Sequence, residues 1–487
     1  MVEQNIFKSE NTTQEKELQM KETPLLPNPE DLCLLEYSQV FSCCSIFHKE
    51  GMSDAIGTFD LSVRDLPKNR NFMIAGGLED VINFIKNLRF NEKHIKYLLE
   101  QKMITPEFAE YLKGFKFTGN VWAMPEGTIF FPKETVVRIT APITEGNLIT
   151  TTMTNLFSLP TILMSKIIRV VLSAKGAKVG IGFIRTHGVD TSLKVQRASI
   201  IAGCRAVSSP LAGMFYGLPV GSGMLYHAYV QNFPTEYEAF KAVADNFPLR
   251  FNLPSDPIPR GYAFMVDTYD TIKGVENVIK LARELKKQGK PHMPAIALDS
   301  GDLTKLSIEA RKMLDDAGFK DIEISASGNL TEKKITKMIK EGAKIDRFIA
   351  VTDVVTSADD PKLEVIYKLA EMEINGKIIP TMKWSPGKRS LPSKKQVFRI
   401  LENGKWIKDI IGLDNENLGE ALLIPIIQKG KLVYSFPKIT EIREYVLKQL
   451  EKLPNNYKSV SRVYSYPVEF SNNLQNLVES LKPSYLK

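Results

Sequence analysis

The amino-acid sequence predicts an α/β protein with an irregular parallel α/β barrel packed on a domain of the α+β class. Three observations predict this fold. Short apolar strands recur from about residue 170 onward, amphipathic helical patterns separate several of them, and small or polar residues follow the strands. Strands that alternate with helices in this way are parallel. In a parallel barrel the active site lies at the carboxyl ends of the strands.

The predicted barrel strands are short apolar runs, and they lie at 179–183, 263–266, 295–298, 322–326 and 348–351. Three helices are predicted from apolar residues spaced i, i+3, i+4 and i+7, which places one apolar stripe on each helix against the sheet. These helices should end at Gly289, Gly318 and Gly342, because glycine readily adopts the left-handed conformation that follows the last turn. The repeated unit is therefore a strand followed by a helix.

Four segments of the chain differ in their pattern. Residues 1–32 are polar and charged, which predicts a disordered or loosely docked tail. Residues 33–165 mix helices with short strands broken by prolines and are predicted to form the N-terminal α+β domain. Residues 166–382 are predicted to form the α/β barrel, which would be the catalytic domain. Residues 383–487, with a helix at 442–453, are predicted to pack on the N-terminal domain.

Composition excludes several classes of partner. The chain has 487 residues and a formal charge of +8, from 64 basic and 56 acidic residues, without a dense basic block. Nucleic-acid binding requires a concentrated basic patch, so we expect no nucleic-acid partner. No stretch approaches the roughly 20 apolar residues of a membrane span, and no membrane association is expected. The four cysteines lack metal-binding spacing, which predicts reduced thiols in a cytoplasmic protein.

Polar side chains that could carry chemistry follow three of the strands. Asp267 follows one strand, Asp299 follows another, and His227 lies after a third strand that is predicted at 219–223. Carboxylates that converge on one barrel mouth beside an imidazole can hold magnesium, bind hydroxyl groups and orient the ring. Aspartate after a strand is also a common helix N-cap. Capping remains an alternative for each single residue, whereas the three residues together favour an active site.

The chain resembles the nicotinate phosphoribosyltransferases from about residue 34 to its end. The motifs that carry the resemblance keep their spacing throughout the chain. They are Ala-Gly-Gly-Leu-Glu-Asp at 75–80, Phe-Thr-Gly-Asn-Val at 117–121, Pro-Glu-Gly-Thr at 125–128, Val-Asp-Thr-Tyr-Asp at 266–270, Leu-Asp-Ser-Gly-Asp-Leu at 298–303, Val-Thr-Ser-Ala at 355–358, Tyr-Lys-Leu at 367–369 and Leu-Pro at 391–392 followed by Lys-Lys-Gln at 394–396.

The resemblance implies the barrel of the type II phosphoribosyltransferases and a specific reaction. Members of this family join nicotinate to phosphoribosyl pyrophosphate to give nicotinate mononucleotide, with Mg²⁺ as cofactor and ATP as co-substrate. ATP hydrolysis is coupled to the transfer through a transient phosphohistidine. Members are head-to-tail homodimers that share active sites. The expected role is NAD salvage in the cytoplasm.

The same resemblance implies roles for individual residues. It places the phosphorylated histidine at His227 and its orienting carboxylates at Asp267 and Asp299, while Arg185 meets anionic groups. It leaves the metal ligands unassigned. The remaining residues that it implies for substrate binding are Tyr37, Ser38, Ser300, Gly301, Asp302, Gly328 and Thr352.

Five positions depart from the family pattern. They are Ser38 in place of an aromatic residue, Ile184 and Ala297 in place of arginines, Arg205 in a Gly-Phe-Asp-like turn, and Val351 in a glycine turn that cradles phosphate. Loss of charge-assisted contacts predicts weaker binding of a carboxylate and a phosphate. Two interpretations stay open: an enzyme with an altered substrate pocket, or a catalytically weak or inactive family member that acts as a binding or regulatory protein. The enzyme is favoured because His227 and its carboxylates are retained.

Overall fold

The computed structural model describes residues 27–221, 223–247, 261–385 and 388–485. Most of the predicted tail at 1–32 therefore lies outside the described residues. The described strands are β1 Ile56–Val63, β2 Met73–Ile74, β3 Asn120–Ala123, β4 Ile129–Phe130, β5 Thr135–Pro142, β6 Lys178–Ile181, β7 Ala263–Met265, β8 Ala295–Leu298, β9 Glu323–Ala326, β10 Arg347–Ala350, β11 Val365–Ile374, β12 Lys377–Pro380, β13 Lys395–Glu402, β14 Lys405–Leu413, β15 Glu420–Ala421, β16 Ile424–Gln428, β17 Lys431–Leu432 and β18 Val468–Phe470.

Helices surround these strands and connect them. The described α-helices are α1 Ser38–Lys49, α2 Leu78–Asn87, α3 Glu92–Glu100, α4 Pro106–Lys113, α5 Ile143–Asn147, α6 Thr150–Ser173, α7 Val189–Ile201, α8 Pro210–Tyr216, α9 His227–Gln231, α10 Glu236–Asn246, α11 Thr271–Lys287, α12 Leu303–Asp316, α13 Glu332–Lys340, α14 Thr352–Val355, α15 Ile439–Lys452 and α16 Asn472–Tyr485. Two 3₁₀ helices lie at Pro29–Leu34 and Asn455–Lys458.

A parallel sheet forms the barrel wall. Its order is β6-β10-β9-β8-β7, and every neighbouring pair is parallel. Beyond β7 the wall continues through single parallel bridges, Met224 to Ala263 and Val207 to Val220. The hydroxyl of Ser208 then donates to the Ile181 carbonyl of β6 at 3.1 Å. The described residues between β6 and β7 therefore span the gap irregularly, and the predicted irregular barrel is confirmed.

All five predicted barrel strands are present, and α11, α12 and α13 end just before the predicted glycines. Gly289, Gly318 and Gly342 have φ values of 68°, 83° and 87°, in the left-handed region. The strand predicted at 219–223 is wrong, because the described residues of this segment form only the bridge at Val220. Two of its described residues are glycines, which have no side chain to pack in a sheet.

The second domain is built around a seven-stranded sheet of order β12-β11-β1-β5-β3-β16-β17. Its strands come from the N-terminal part, from β11 and β12, and from the C-terminal part of the chain. Since β11 pairs antiparallel with β1 along its whole length, the chain leaves the barrel before Val365. The predicted barrel segment at 166–382 is therefore too long at its end. Local strand patterns do not show with which sheet a strand pairs.

The long helix α6 lies at the centre of the molecule, against α2, α7, α13 and α14. Within the described ranges it is the one helix whose length and composition would allow a membrane span. Its most apolar 18-residue window has a mean hydropathy of 1.6, and 72% of that window is buried inside the fold. This apolar run was missed in the sequence because serine, threonine, Lys166 and Arg169 interrupt it. This degree of burial is typical of a helix in the core of a folded protein.

The close approach of α11 to the backbone that follows β7 gives a first prediction. A Cβ added at Gly274 would lie 2.1 Å from the carbonyl oxygen of Val266, which belongs to the backbone and cannot rotate away. We expect Gly274→Ala to destabilise the protein by about 1–3 kcal/mol, the usual cost of overpacking a core. The matched control is Gly114→Ala, because no atom lies within 4 Å of a Cβ there. Thermal melting that shows equal midpoints for the two variants would contradict the close contact.

Candidate active site

Three polar side chains follow adjacent barrel strands at their carboxyl ends. Asp267 follows β7, Asp299 follows β8 and Ser327 follows β9. Because these strands are parallel and in register, their ends meet at one edge of the barrel. The hydroxyl of Ser327 donates a short hydrogen bond to Oδ1 of Asp299. The arrangement of strand ends that the sequence predicted is therefore present.

His227 begins the short helix α9 and is partly exposed at the barrel mouth. Its Nε2 lies 4.0 Å from Oδ2 of Asp299, within ion-pair distance if the ring is protonated. Its Nδ1 shares a hydrogen bond of 3.2 Å with the hydroxyl of Thr268. Each ring nitrogen thus faces a different partner, which fixes the orientation of the imidazole.

Asp267 has a different partner from the one that we expected. Its Oδ2 accepts three hydrogen bonds, from the Asp299 amide at 2.9 Å, the Ser300 amide at 2.7 Å and the Ser300 hydroxyl at 2.8 Å. These bonds hold the backbone at the end of β8, whereas Thr268 holds His227. Oδ1 of Asp267 is buried and has no hydrogen-bond partner among the described residues. This oxygen remains available to a ligand or a water molecule.

The loop after β9 approaches Asp299 closely. Gly328 has a φ of 105°, and a Cβ there would lie 3.3 Å from the carbonyl oxygen of Asp299. The position therefore suits glycine for two reasons, its backbone conformation and the lack of space. Ser327 and Thr268 are the two site residues that the sequence did not predict. The available signal was their position, since each is adjacent to a predicted residue.

Arg185 and Thr352 lie on neighbouring loops, after β6 and β10. Nη1 of Arg185 donates to the hydroxyl of Thr352 at 2.7 Å. Arg185 is exposed and Thr352 is half-buried. This bond uses one of the five N–H donors of the guanidinium group, so the others can bind a carboxylate or a phosphate.

Capping accounts for two of the other aspartates. Asp302 accepts a hydrogen bond from the Lys305 amide at 3.2 Å and is the N-cap of α12. That backbone hydrogen bond holds the pKa of the Asp302 carboxyl below its usual value. Asp270 caps α11 in the same way, at 2.9 Å from the Lys273 amide. Asp302 also lines a cleft of about 710 Å³ that begins at Asp299, Ser300 and Gly301 and runs between α12 and α13.

The structure does not bring Tyr37 and Ser38 to His227 within one chain. They lie at the start of α1, which packs against α4 and α5 of the antiparallel domain. Tyr37 is 63% exposed. Just before them, the carboxylate of Glu36 accepts a hydrogen bond of 2.7 Å from the Thr151 amide, which anchors the segment.

The residues that depart from the family pattern differ in their exposure to solvent. Ala297 is fully buried in β8, and Ile184 is 84% exposed beside Arg185. Arg205 is exposed, and Val351 is half-buried at the end of β10. Within the described ranges, no group of three or more His, Cys, Asp or Glu residues could hold a metal ion.

A second cavity, of about 620 Å³, lies in the antiparallel domain away from the barrel mouth. Its lining combines basic side chains with apolar ones. Among the lining residues are Arg64, Lys368, Trp384, Arg389 and Phe470.

Two regions of the chain match family models. Residues 37–158 match the N-terminal domain of nicotinate phosphoribosyltransferase, and residues 418–478 match its C-terminal domain. The chain is similar to nicotinate phosphoribosyltransferase pncB2 of Mycobacterium tuberculosis, at 38% identity over 85% of this chain and 87% of the relative. It is also similar to nicotinate phosphoribosyltransferase of Bacillus subtilis, at 33% identity over 87% of this chain and 90% of the relative.

Solved structures show the same fold. Human nicotinic acid phosphoribosyltransferase aligns with a TM-score of 0.79 and 23% identity, over 92% of this chain and 100% of that chain. A nicotinate-nucleotide pyrophosphorylase from Pyrococcus furiosus aligns with a TM-score of 0.69 and 24% identity, over 89% of this chain and 99% of that chain. The resemblance drawn from the motifs is confirmed, and the chain belongs to the nicotinate phosphoribosyltransferase family.

Proposed function

We propose that this chain transfers a phosphoribosyl group from phosphoribosyl pyrophosphate to nicotinate in an ATP-coupled reaction of NAD salvage. The observation that carries the proposal is the contact of Asp299 with His227 and Ser327 at the barrel mouth of a member of this family. The products are nicotinate mononucleotide and pyrophosphate. The pyridine nitrogen forms a bond to the anomeric carbon as the bond to pyrophosphate breaks.

The residues at the mouth supply charge and position for this transfer. The Asp299 carboxylate can stabilise the positive charge that develops on the ribose ring as pyrophosphate leaves. The guanidinium of Arg185 can bind the nicotinate carboxylate or a phosphate group. Both groups lie on loops at the mouth, so they can hold the two substrates in reacting geometry. The transfer needs no protein nucleophile.

Magnesium fits the acidic side of the mouth. Mg²⁺ keeps several waters and is usually bound by one or two carboxylates together with substrate phosphates. Two groups would hold Mg²⁺ here, Oδ1 of Asp267 and the Asp299 carboxylate. Oδ1 of Asp267 is buried and has no hydrogen-bond partner among the described residues. When bound with the substrate, the ion neutralises charge on the departing pyrophosphate.

ATP coupling is assigned to His227. The Thr268 hydroxyl occupies Nδ1, which leaves Nε2 as the nitrogen that accepts the γ-phosphoryl group. The bond between the γ-phosphorus and its bridging oxygen breaks, a nitrogen–phosphorus bond forms, and ADP leaves. Hydrolysis of the phosphohistidine then returns the free imidazole and phosphate.

A product assay tests the proposed function. The purified protein is incubated with phosphoribosyl pyrophosphate, Mg²⁺ and either nicotinate or nicotinamide, with and without ATP. We expect nicotinate mononucleotide and an equal amount of pyrophosphate from nicotinate, with a faster rate in ATP. Product only from nicotinamide would assign a different base. No product from either base would leave a non-catalytic binding role.

We also propose a homodimer with shared active sites. Met214 and Phe215 in α8 and Tyr226 beside His227 are 78%, 67% and 64% exposed, and apolar surface of this kind favours contact with a protein. Tyr37 and Ser38, exposed at the start of α1, could complete the mouth of the second subunit. Light scattering should report a dimer, whereas a monomer with full activity would contradict the arrangement.

A cytoplasmic location is part of the same proposal. The four cysteines support this location, because all of them are free thiols in the structure. Three of them are buried and Cys43 is exposed. Free thiols of this kind are usual in a reducing compartment.

A further inference from the structure

A buried cluster of charged side chains joins the two domains beneath the loop that follows β10. Its cations are Arg70, Lys166 and Arg169, and its carboxylates are Glu332 and Asp359. Lys166 bridges both carboxylates, at 2.9 Å from Glu332 and 3.0 Å from Asp359. Arg169 lies 3.0 Å from Glu332. The five groups therefore form one connected network, most of it shielded from solvent.

Arg70 is the member that comes from the antiparallel domain. It lies in the loop after β1, and its side chain is fully buried. It binds the Asp359 carboxylate with two nitrogens, Nη1 at 2.7 Å and Nη2 at 3.2 Å. Nη2 also donates to the hydroxyl of Ser357 at 3.0 Å, and Nη1 donates to the Lys68 carbonyl at 3.1 Å. The planar guanidinium group matches this fork of acceptors, and an ammonium group does not.

The residues that Arg70 holds form one unit with the turn after β10. Ser357 has a φ of 48°, and its amide donates to the Val354 carbonyl at 3.3 Å. The Ala358 amide donates to the Asp353 carbonyl at 2.9 Å. These bonds connect the segment that carries Asp359 to the short helical turn α14. The first residue of α14 is Thr352, which accepts the hydrogen bond from Arg185.

Two further contacts fix the same unit. The Asp360 carboxylate accepts a hydrogen bond of 2.8 Å from the Lys68 amide, so the β1 loop holds the segment at consecutive residues. Helix α6, which carries Lys166 and Arg169, packs against both α13 and α14. The turn is thus tied to the second domain from one side and to the central helix from the other.

The carboxylates of the cluster stay ionised at neutral pH. The three cations face the carboxylates of Glu332 and Asp359, and the buried carboxylate of Asp360 belongs to the same unit. Burial raises the pKa of the Asp359 carboxyl, but the hydrogen bonds from Arg70 outweigh it and hold that pKa below its usual value. Burial also raises the pKa of the Glu332 carboxyl, but Lys166 and Arg169 outweigh it and hold that pKa below its usual value. Both carboxylates therefore keep their charge, which maintains the ion pairs of the cluster.

We propose that Arg70 is a positioning residue for substrate binding: it holds the turn 352–355 in the place where that turn receives the phosphate of the phosphoribosyl donor. This inference rests on the proposed function. It also offers a reason why the chain can carry Val351 in place of a glycine turn, since contacts from another domain hold the position of this segment. Arg70 itself does not contact the substrate.

The test compares three variants of the full-length protein in steady-state kinetics. For Arg70→Lys, which keeps the charge but loses the fork, we expect the KM for phosphoribosyl pyrophosphate to rise about 10-fold. We expect kcat and the KM for nicotinate to change less than about 3-fold. Ser357→Ala removes one acceptor of Arg70 and should change the same KM in the same direction by a smaller factor. This milder variant keeps the test valid if Arg70→Lys does not fold.

The matched control is Arg399→Lys. Arg399 and Asp409 form another fully buried Arg–Asp pair, at 2.6 Å, between β13 and β14 of a separate sheet. Loss of the Arg399–Asp409 pair should lower the melting temperature without changing the KM for phosphoribosyl pyrophosphate. If Arg70→Lys lowers the melting temperature in the same way and leaves that KM unchanged, Arg70 has only a structural role and the inference is wrong.

Calorimetry separates this inference from the proposed function. Titration of the unmodified protein with phosphoribosyl pyrophosphate and Mg²⁺ should show binding, and Arg70→Lys should bind about 10-fold more weakly. No binding to the unmodified protein would refute the proposed function. Equal binding to both proteins would refute only the role of Arg70.

Discussion

Asp299→Asn is expected to lower kcat for mononucleotide formation by about 10²–10³-fold, the usual effect of removing one group that stabilises charge in the transition state. The carboxylate lies between Ser327 and His227 at the barrel mouth, so asparagine would keep the shape and remove the charge. The KM for nicotinate should change much less. Initial rates at saturating substrate, with product measured by chromatography, check this result.

Asp270→Asn is the control for that substitution. Asp270 follows the same strand as Asp267 but caps α11, a role that asparagine performs equally well. Its activity should remain close to that of the unmodified protein. An Asp299→Asn variant as active as this control would show that the Asp299 charge does not act in the transfer.

His227→Ala is expected to abolish the stimulation by ATP while a slow, ATP-independent transfer remains. The reason is that the bond to the anomeric carbon forms without a protein nucleophile, whereas phosphoryl transfer from ATP requires the imidazole. Parallel measurement of ADP and nicotinate mononucleotide gives the coupling ratio. In the variant, ADP formation should fall to background.

His292→Gln is the matched control for this variant. His292 lies before β8, at the opposite end of the strand from the mouth, and its Nε2 is 3.1 Å from Asp321. Its coupling ratio should equal that of the unmodified protein. Full ATP stimulation in His227→Ala would show that a different residue accepts the phosphoryl group.

The sequence predicted the positions of the strand ends well, because a strand pattern followed by Asp267 or Asp299 is a local signal. It could not predict the hydrogen-bond partner of each carboxylate. Asp267 bonds to the backbone of the next strand end, and Thr268, its neighbour, contacts His227. These hydrogen bonds depend on how two loops pack against each other, and short sequence motifs do not show that packing.

Long-range contacts account for the other differences. Arg70 and Asp359 are separated by 289 positions, and neither lies in a pattern that marks it as part of a network. The strand β11 lies within the segment predicted to form the barrel, yet it pairs with β1 in the antiparallel sheet. Capping was recognised as an alternative for the aspartates, and the structure assigns it to Asp270 and Asp302.

The most direct test of the central claim, that the barrel mouth is the active site, is a crystal structure with nicotinate mononucleotide bound. We expect the phosphate at the turn 352–355, the ribose beside Asp299 and the pyridine carboxylate within hydrogen-bond distance of a cationic side chain at the mouth. Nucleotide found only in the second cavity, beside Trp384 and Arg389, would contradict the claim.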